Sequence, residues 1–469
     1  MMKRENLILV GIILVYVFIF SSLAIIRHDH FNSQGWDLGF YEQIIWKYSR
    51  GQIARSSISG NLDLADRFRP LMILFVIPYI LRPQSSTLLI SQTAAIALTS
   101  FPLFYLARNL TTNRLFSFTV ILAFLFFVGT QSLQLNDFHE VALFPLALAG
   151  LFYFLESKRY RAFSITVLLT LMIREYVGFL IAAIGLYMLL THKPRKLSLI
   201  TAGAGIAWSL IVIQFIMPKL GQTGYSGFLG DNASLVTELS KLIFHPFYTL
   251  SLFISPFTKV KTILISLASF GFLPLFYPPL LIPVIVQFSQ RFFDLVHPYR
   301  WTVYYQYSAD LAALLAIGTI LASKHLVNRV PAKNIYTYIT LLLIASVAIE
   351  QLLLPVPLKL LVKEEYFRSE AYIDNNQLLI KKIPQTASVA TQNNLASHLS
   401  RRDQLYILPE IKKAEYILMD LHSGQSKYNF MGETPEKMTD LMNKLLTNNR
   451  YILLAQKGDA YLLRKQIAD

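Results

Sequence analysis

The stretch that decides the fold is HDHFNSQGWDLGFYEQIIWKYSRGQ, residues His28 to Gln52. It directly follows the first apolar run, Leu7 to Ile26, and it is far more polar than its surroundings. Asp37 stands at the start of a segment whose apolar side chains recur at helical spacing: Phe40, Tyr41, Ile44, Ile45 and Tyr48. This pattern predicts an amphipathic helix at the water–lipid boundary, with one face in acyl chains and the other in water. We expect the rest of the chain to hold this segment against a membrane.

The composition indicates a polytopic membrane protein. Of 469 residues, 54% are hydrophobic and 15% are charged, whereas soluble domains carry about 25% charged residues. The net charge of +15 does not indicate nucleic-acid binding, because the basic residues stand mostly in short clusters between apolar runs and no basic nucleic-acid-binding module is visible. The lack of cysteine excludes disulfides, thiol catalysis and cysteine-based metal sites.

The basic clusters predict the topology, because positive charge is retained on the cytoplasmic side. They are Lys3–Arg4, Arg108–Arg114, Lys158–Arg161, Lys193–Lys196 and Lys324–Lys333. The run Pro70–Leu81 is too short to cross a hydrocarbon core of about 30 Å, so we expect it to be re-entrant or interfacial. With that choice all five clusters fall inside, the N-terminus lies in the cytoplasm, and residues 27–69 form the first outer loop.

About eleven transmembrane helices follow from this topology. The predicted spans are Leu7–Ile26, Ser86–Ala107, Leu115–Leu133, Val141–Glu156, Arg161–Ile173, Tyr176–Thr191, Leu197–Met217, Lys259–Tyr277, Leu280–Gln287, Ser308–Ser323 and Ile335–Leu354. Residues 218–258, with the glycine-rich stretch 221–230, form a second outer loop that is either a linker or a cover for substrate. Residues 1–354 are thus the transmembrane domain.

After Pro355 the composition becomes that of a water-soluble domain. Residues 387–392 and 414–420 are predicted strands, residues 450–465 a hairpin that turns at Lys457–Asp459, and residues 436–447 a helix. We therefore expect residues 355–469 to form a small α/β domain on the extracytoplasmic face.

Four polar clusters fall on the outer side of this arrangement, where ionisable groups are costly and tend to mark function. They are Asp37 with Glu42, Asp66–Arg67–Phe68–Arg69, Asn136–Asp137–Phe138–His139–Glu140, and Arg174–Glu175. Asp37 is a helix N-cap, a catalytic base, or both. The third cluster either caps the span that follows it or binds a metal or an acceptor. Arg174 and Glu175 are predicted to form a buried pair.

A further outer segment, Arg291–Tyr307, combines two arginines with many aromatic residues. Arg291 and Arg300 would bind a lipid phosphate through forked hydrogen bonds, or else anchor an aromatic belt at the membrane surface.

At these residues the sequence resembles a family of prokaryotic polytopic membrane proteins of unknown function, domain-of-unknown-function family 2079. The matching pieces are WDLGFYEQIIW (Trp36–Trp46), DRFRP (Asp66–Pro70), PLFYLAR (Pro102–Arg108), NDFHE (Asn136–Glu140), IREYVG (Ile173–Gly178), YQYSADL (Tyr305–Leu311) and SVATQNNLASHLSRR (Ser388–Arg402). The family looks like a branch of the GT-C glycosyltransferases. The resemblance implies a GT-C-like fold in the inner membrane and transfer of a sugar from a polyprenyl-phosphate carrier to an acceptor at the outer face, with Asp37 as the base.

The resemblance also suggests roles for the remaining polar residues. The expected acceptor-side residues are Glu42, Asp66, Asp137, His139, Glu140, Glu175, Gln306 and Tyr307, and the expected phosphate-side residues are Arg67, Arg69, Arg174, Arg291 and Arg300. Arg67 and Gln306 stand where the family pattern has histidines, which argues against a metal site; a divalent cation on Asp137, His139 and Glu140 is the alternative. A transporter and a non-catalytic envelope scaffold are the rival functions.

Overall fold

A computed structural model describes residues 2–221, 229, 233–330, 334–448 and 450–466. Residues 222–228 of the glycine-rich stretch and residues 331–333 of the last basic cluster lie outside these ranges. The helices up to residue 219 are α1 (Met2–Asp29), α2 (Phe40–Ser49), α3 (Asp63–Asp66), α4 (Val76–Leu81), α5 (Ser85–Leu98), α6 (Ser100–Thr111), α7 (Arg114–Phe126), α8 (Val128–Leu135), α9 (Leu143–Glu156), α10 (Tyr160–Leu171), α11 (Val177–Leu190), α12 (Arg195–Ile211) and α13 (Met217–Lys219). The next are α14 (Leu235–Phe244), α15 (Pro246–Ile254), α16 (Phe257–Ala268), α17 (Leu281–Phe292), α18 (Ala309–Arg329) and α19 (Ile335–Leu353).

Several of these helices are long and apolar enough to cross a membrane. In the described ranges five qualify, or up to seven if each of two bent pairs is one span. The bent pairs are α7 with α8, at 45°, and α15 with α16, at 71°. At the first bend the Glu350 carboxylate accepts a hydrogen bond of 2.6 Å from the backbone N–H of Val128, so a side chain satisfies the donor that the break exposes. The number eleven remains a prediction.

The segment Pro218–Thr258 differs from the loop that was predicted. It contains α14 and α15, whose apolar side chains are largely exposed, as at Phe244 and Phe247. Similarly, α18 continues to Arg329, six residues beyond the predicted end of its span at Ser323. The longer α18 arises because polar residues at a helix end do not stop a helix unless a cap or a proline follows.

Helix α18 lies at the centre of the bundle. Every residue from Ala309 to Ser323 is buried, and the helix packs against α6, α7, α9 and α17. Alanine and glycine recur along it, which lets neighbouring helices approach closely.

Helix α2 is not the interfacial helix that its pattern predicts. All residues from Phe40 to Lys47 are buried within the protein, so neither face is left for acyl chains or water. The apolar face packs on α4 and on the C-terminal domain, in a core that includes Ile44, Phe75 and Leu395. The apolar face of an amphipathic helix is buried either in lipid or against protein, and in α2 it is buried against protein.

The C-terminal domain contains a small five-stranded sheet with helices beside it. It consists of α20 (Glu364–Phe367), α21 (Ala371–Ile380), β1 (Val389–Thr391), α22 (Asn393–Ala396), β2 (Leu405–Ile407), β3 (Tyr416–Asp420), α23 (Pro435–Thr447), β4 (Tyr451–Lys457) and β5 (Ala460–Lys465). The strand order is β2-β1-β3-β5-β4, with β1 parallel to both neighbours and the rest antiparallel. The predicted strands and the hairpin are present, whereas β2 and α21 were not predicted.

The two ends of the bundle differ in their charged contacts. At one end, Glu5 lies 3.3 Å from the guanidinium of Arg108 and 3.8 Å from that of Arg114, and Glu156 lies 2.8 Å from Lys193. The polar clusters of the predicted outer side lie at the other end of α1, where Arg27 pairs with Asp137. From Glu5 to Arg27 the helix rises about 33 Å, the thickness of a hydrocarbon core. The basic loops and the candidate site therefore face opposite ends.

Candidate functional site

Asp37 occupies a single turn of π-helix, Gly35–Gly39, that leads directly into α2. Isolated π turns are rare and occur often at functional sites. The Asp37 side chain is 44% exposed, and its Oδ1 lies 3.4 Å from Nε2 of His139. Nε2 of Gln306 lies 3.1 Å from the same histidine nitrogen. Asp37, His139 and Gln306, predicted from three different parts of the chain, therefore form one contiguous row.

Asp137 holds the start of this turn. Its buried carboxylate pairs with Arg27 and accepts a hydrogen bond of 2.8 Å from the backbone N–H of Gln34. Burial raises the pKa of Asp137 and the repulsion from Asp37 adds to that, while Arg27 opposes both. Asp137 is thus a supporting residue of the Asp37 turn, and Arg27 is a member of the site that the sequence did not single out.

A buried arginine, Arg69, lies behind the row. Its guanidinium is 2.6 Å from Asp63, 3.9 Å from Asp66 and 3.8 Å from Glu140, and it donates a 3.1 Å hydrogen bond to the Tyr41 hydroxyl. Three carboxylates of the protein already surround this guanidinium, whose side chain is only 1% exposed, so a role for Arg69 in binding a lipid phosphate stays a prediction. Arg69 joins α2 and α3 to the loop before α9, because a buried guanidinium requires several acceptors.

Glu140 is paired with Arg174. Nε of Arg174 lies 3.3 Å from the Glu140 carboxylate, and its guanidinium lies over the Tyr176 ring at 5.6 Å. Burial alone would raise the pKa of Glu140, but Arg174 and Arg69 outweigh it and lower this pKa to about 2. Glu140 is therefore a fixed negative charge within a group of guanidinium groups.

The ion pair that the geometry shows for Arg174 is with Glu140, and the pairing of Arg174 with Glu175 stays a prediction. The Glu175 carboxylate accepts a 3.0 Å hydrogen bond from the backbone N–H of Phe68, and the Glu175 carbonyl accepts one of 2.7 Å from Ser209. Side chains adjacent in a tight turn point in different directions, so each meets a different part of the bundle.

The metal alternative is also corrected. Asp137 faces Arg27, His139 faces Asp37 and Gln306, and Glu140 faces Arg69 and Arg174. No group of three or more histidine, aspartate or glutamate side chains that could hold a metal ion occurs in the described ranges. Two of the three candidate ligands are engaged by guanidinium groups, which compete with a cation for the carboxylates.

Glu42 does not face the site. Its buried carboxylate accepts hydrogen bonds from Tyr79 at 3.0 Å, from Ser85 at 2.7 Å and from Ser400. Burial raises the pKa of Glu42, and the three hydroxyl donors oppose that shift. The expectation that Glu42 binds an acceptor is therefore wrong, because three hydroxyls within the protein already satisfy it.

The arginines of the aromatic segment behave differently from each other. Arg300 is bound to Asp294, and its guanidinium lies over the Tyr307 ring at 5.0 Å. Arg291 is buried and donates to Ser308 at 2.6 Å and to the Tyr307 carbonyl at 3.4 Å, but its Nε and Nη2 have no hydrogen-bond partner among the residues that the structure describes. Unsatisfied guanidinium donors in a buried position favour an anionic ligand. Tyr307 contacts both arginines, Arg291 through its carbonyl and Arg300 through its ring.

Arg67 and Asp66 lie at the edge of the cluster. Both are half-buried, and Arg67 donates a 3.1 Å hydrogen bond to the carbonyl of Asp66. Their neighbour Phe68 packs edge-to-face on Trp208 of α12, which joins this loop to the bundle. All four predicted polar clusters therefore meet in one region.

Comparison with solved structures identifies the fold. The structure of ArnT from Cupriavidus metallidurans bound to undecaprenyl phosphate matches with a TM-score of 0.57 at 12% identity, covering 98% of this chain and 97% of that chain. The apo structure of ArnT from the same organism matches with a TM-score of 0.55 at 14% identity, covering 98% of both chains. No curated protein sequence matches. At these identities the likeness shows the fold alone.

The fold and the site together define a polytopic membrane protein with a GT-C-like architecture, as expected from the sequence. Its polar site lies at one end of the helical bundle, beside the small α/β domain. The chain belongs to the family described as "Predicted membrane protein (DUF2079)", whose model matches residues 27–463.

Proposed function

We propose that this protein is a glycosyltransferase of the GT-C type, which transfers a sugar from a polyprenyl-phosphate-linked donor to an acceptor at the outer face of the cytoplasmic membrane. The observation that carries the proposal is a half-exposed carboxylate, Asp37, at the edge of a buried network of arginines and carboxylates. The fold supports it, because one of the similar structures, ArnT, is bound to undecaprenyl phosphate.

In the proposed reaction Asp37 acts as the general base. Its carboxylate takes the proton of an acceptor hydroxyl while the acceptor oxygen bonds to the anomeric carbon of the sugar. The bond from that carbon to the carrier phosphate breaks, and the lipid phosphate leaves with the bonding electrons. A single displacement of this kind inverts the anomeric centre. General-base assistance is worth about 10²–10⁴ in rate.

Arg174 and Arg291 are the proposed partners of the departing phosphate. Among the described residues, Nε and Nη2 of Arg291 are buried without a hydrogen-bond partner, whereas Nε of Arg174 faces the Glu140 carboxylate at 3.3 Å. Guanidinium donors aimed at developing negative charge stabilise the transition state more than the ground state.

The proposal is tested by removing the basic carboxylate alone. Asp37→Asn keeps the size of the side chain, so expression, thermal stability and binding of undecaprenyl phosphate should stay close to wild type. Turnover should fall by about two to four orders of magnitude. Glycan and lipid-carrier profiles of a deletion strain are compared after complementation with the wild type, with Asp37→Asn, and with the matched control Asp440→Asn, which changes an exposed aspartate of α23.

Three outcomes separate the functions. A carrier-linked sugar that accumulates in the deletion strain and with Asp37→Asn, but not with Asp440→Asn, supports the transferase. Full complementation by Asp37→Asn shows that Asp37 is not the base. A change in solute uptake with unaltered glycans indicates a transporter instead.

A further inference from the structure

The turn that carries Asp37 is held from two sides. On the membrane-domain side, the buried Asp137 accepts from the backbone N–H of Gln34. On the C-terminal side, Asn393 at the start of α22 uses both ends of its amide: Oδ1 accepts a 3.2 Å hydrogen bond from the backbone N–H of Trp36, and Nδ2 donates one of 2.6 Å to Oε1 of Gln34. Both contacts fall within three residues of Asp37.

Asn393 is itself fixed by the sheet of the C-terminal domain. It comes two residues after Thr391, the last residue of β1, which lies between two parallel neighbours in the sheet. Nδ2 of Asn393 also donates to the carbonyl of Tyr428 at 3.3 Å, and the side chain is buried. Because β1 is hydrogen-bonded to a strand on each side, its end is rigid and holds Asn393 in a fixed position.

The backbones of the turn and of α22 are in direct contact. A Cβ atom on Gly35 would lie 2.6 Å from Cβ of Ala396 and 2.8 Å from a methyl group of Ile407, and one on Gly39 would lie 3.3 Å from the backbone of Ser397. Only glycine permits so close an approach. The hydrophobic core is continuous across the same surface, since Leu38 and Leu395 belong to one buried cluster.

We propose that Asn393 is a positioning residue for Asp37, so that the C-terminal domain sets the geometry of the catalytic carboxylate. The catalytic part of this inference rests on the proposed function, but the positioning part does not. A displacement of about 1 Å from the reactive geometry can cost about 10²-fold in rate. Asn393→Ala should therefore lower turnover by about 10–100-fold, with binding of undecaprenyl phosphate unchanged because the phosphate contacts lie elsewhere.

The positioning is measured directly by spin labelling of the full-length protein. The chain contains no cysteine, so a single introduced cysteine is labelled uniquely. Trp36 is suitable because its side chain is 42% exposed while its backbone N–H makes the bond to Asn393. Ile53, which follows α2 and is 81% exposed, provides the reference position for a second, separate label.

We expect the label on Trp36→Cys to gain mobility when Asn393→Ala is added, whereas the label on Ile53→Cys does not change. The matched control Asn443→Ala, in an exposed part of α23, should leave both labels unchanged. Thermal stability of the Asn393→Ala protein should remain close to that of its parent, which separates local release of the turn from general unfolding.

Gln34→Ala provides a second variant in case Asn393→Ala does not fold. Gln34→Ala removes the 2.6 Å hydrogen bond between Gln34 and Asn393 without changing the C-terminal domain. The mobility of the label on Trp36→Cys should therefore rise, but by less than with Asn393→Ala. An unchanged Trp36→Cys spectrum in the folded variants overturns the positioning proposal. The label measurement needs no substrate. Its result therefore does not depend on whether the Asp37→Asn test supports the transferase proposal.

Discussion

Replacing Glu140 by glutamine tests the charge network behind Asp37. In the native protein the Glu140 carboxylate lies 3.3 Å from Arg174 and 3.8 Å from Arg69, and it is buried. Glutamine keeps the shape and removes the charge. Arg69 retains Asp63 at 2.6 Å, so the loss falls mainly on Arg174.

The expected magnitude follows from the pKa of Glu140. The two arginines lower it from 4.5 to about 2 against the opposing effect of burial, which corresponds to about 3 kcal/mol in favour of the charged form. A depressed carboxyl pKa gives stability that is fully present above pH 4.5 and lost as pH falls towards 2, so at pH 7 the whole effect is present. We therefore expect Glu140→Gln to lower the free energy of unfolding by about 3 kcal/mol, within the range for breaking a buried ion pair.

The assay is a double-mutant cycle on the purified protein in detergent, followed by denaturant unfolding. Glu140→Gln, Arg174→Gln and the double variant should give a coupling energy of about 1–3 kcal/mol, because each single change leaves a buried charge without its partner. The matched cycle with Glu175→Gln in place of Glu140→Gln should give a much smaller coupling. Additive effects for Glu140 and Arg174, or a larger coupling with Glu175, would refute the assignment of these partners.

Two further predictions concern acid sensitivity and topology. Burial lowers the pKa of His398 to about 4, so this histidine is neutral when folded, and stability should fall as pH drops below about 6.5; at about pH 5 the cost is about 2 kcal/mol. The free energy of unfolding is measured at pH 7.5 and at pH 5 for the wild type and for His398→Gln, and the variant should lack this loss. The buried carboxyls titrate in both proteins, so their contribution cancels when the two losses are compared. Reporter fusions after Arg108, Arg159 and Lys196 should report the cytoplasm and a fusion after Pro355 the outside; a cytoplasmic C-terminal domain would contradict the topology and the outer placement of the site.

Much of the candidate site was predicted from local sequence features. Asp37, His139 and Gln306 were expected to share a site and lie in one row. Their grouping was predictable because helix lengths and basic loops decide which end of a bundle each polar cluster reaches. The same reasoning could not tell which residues at that end face substrate. Glu42 stands only five residues after Asp37, but its carboxylate accepts hydrogen bonds from hydroxyl groups within the protein.

Contacts between distant parts of the chain could not be predicted in the same way. Arg174 forms an ion pair with Glu140, and the backbone N–H of Trp36 is bound by Asn393, 357 positions along the chain. Nothing in SVATQNNLASHLSRR indicates that its first asparagine, Asn393, contacts the Asp37 turn.

The sequence by itself determined the membrane class, the positions of most helices and strands, and the set of polar clusters. These properties depend on each segment's own hydropathy, charge and periodicity, which are fixed before any tertiary contact forms. The tertiary structure alone decided that α2 is covered by protein rather than lipid, that Arg69 is buried, and that the C-terminal domain holds the Asp37 turn. An apolar stripe or a charged side chain specifies only that it needs a partner, and which partner it receives depends on how the whole chain packs.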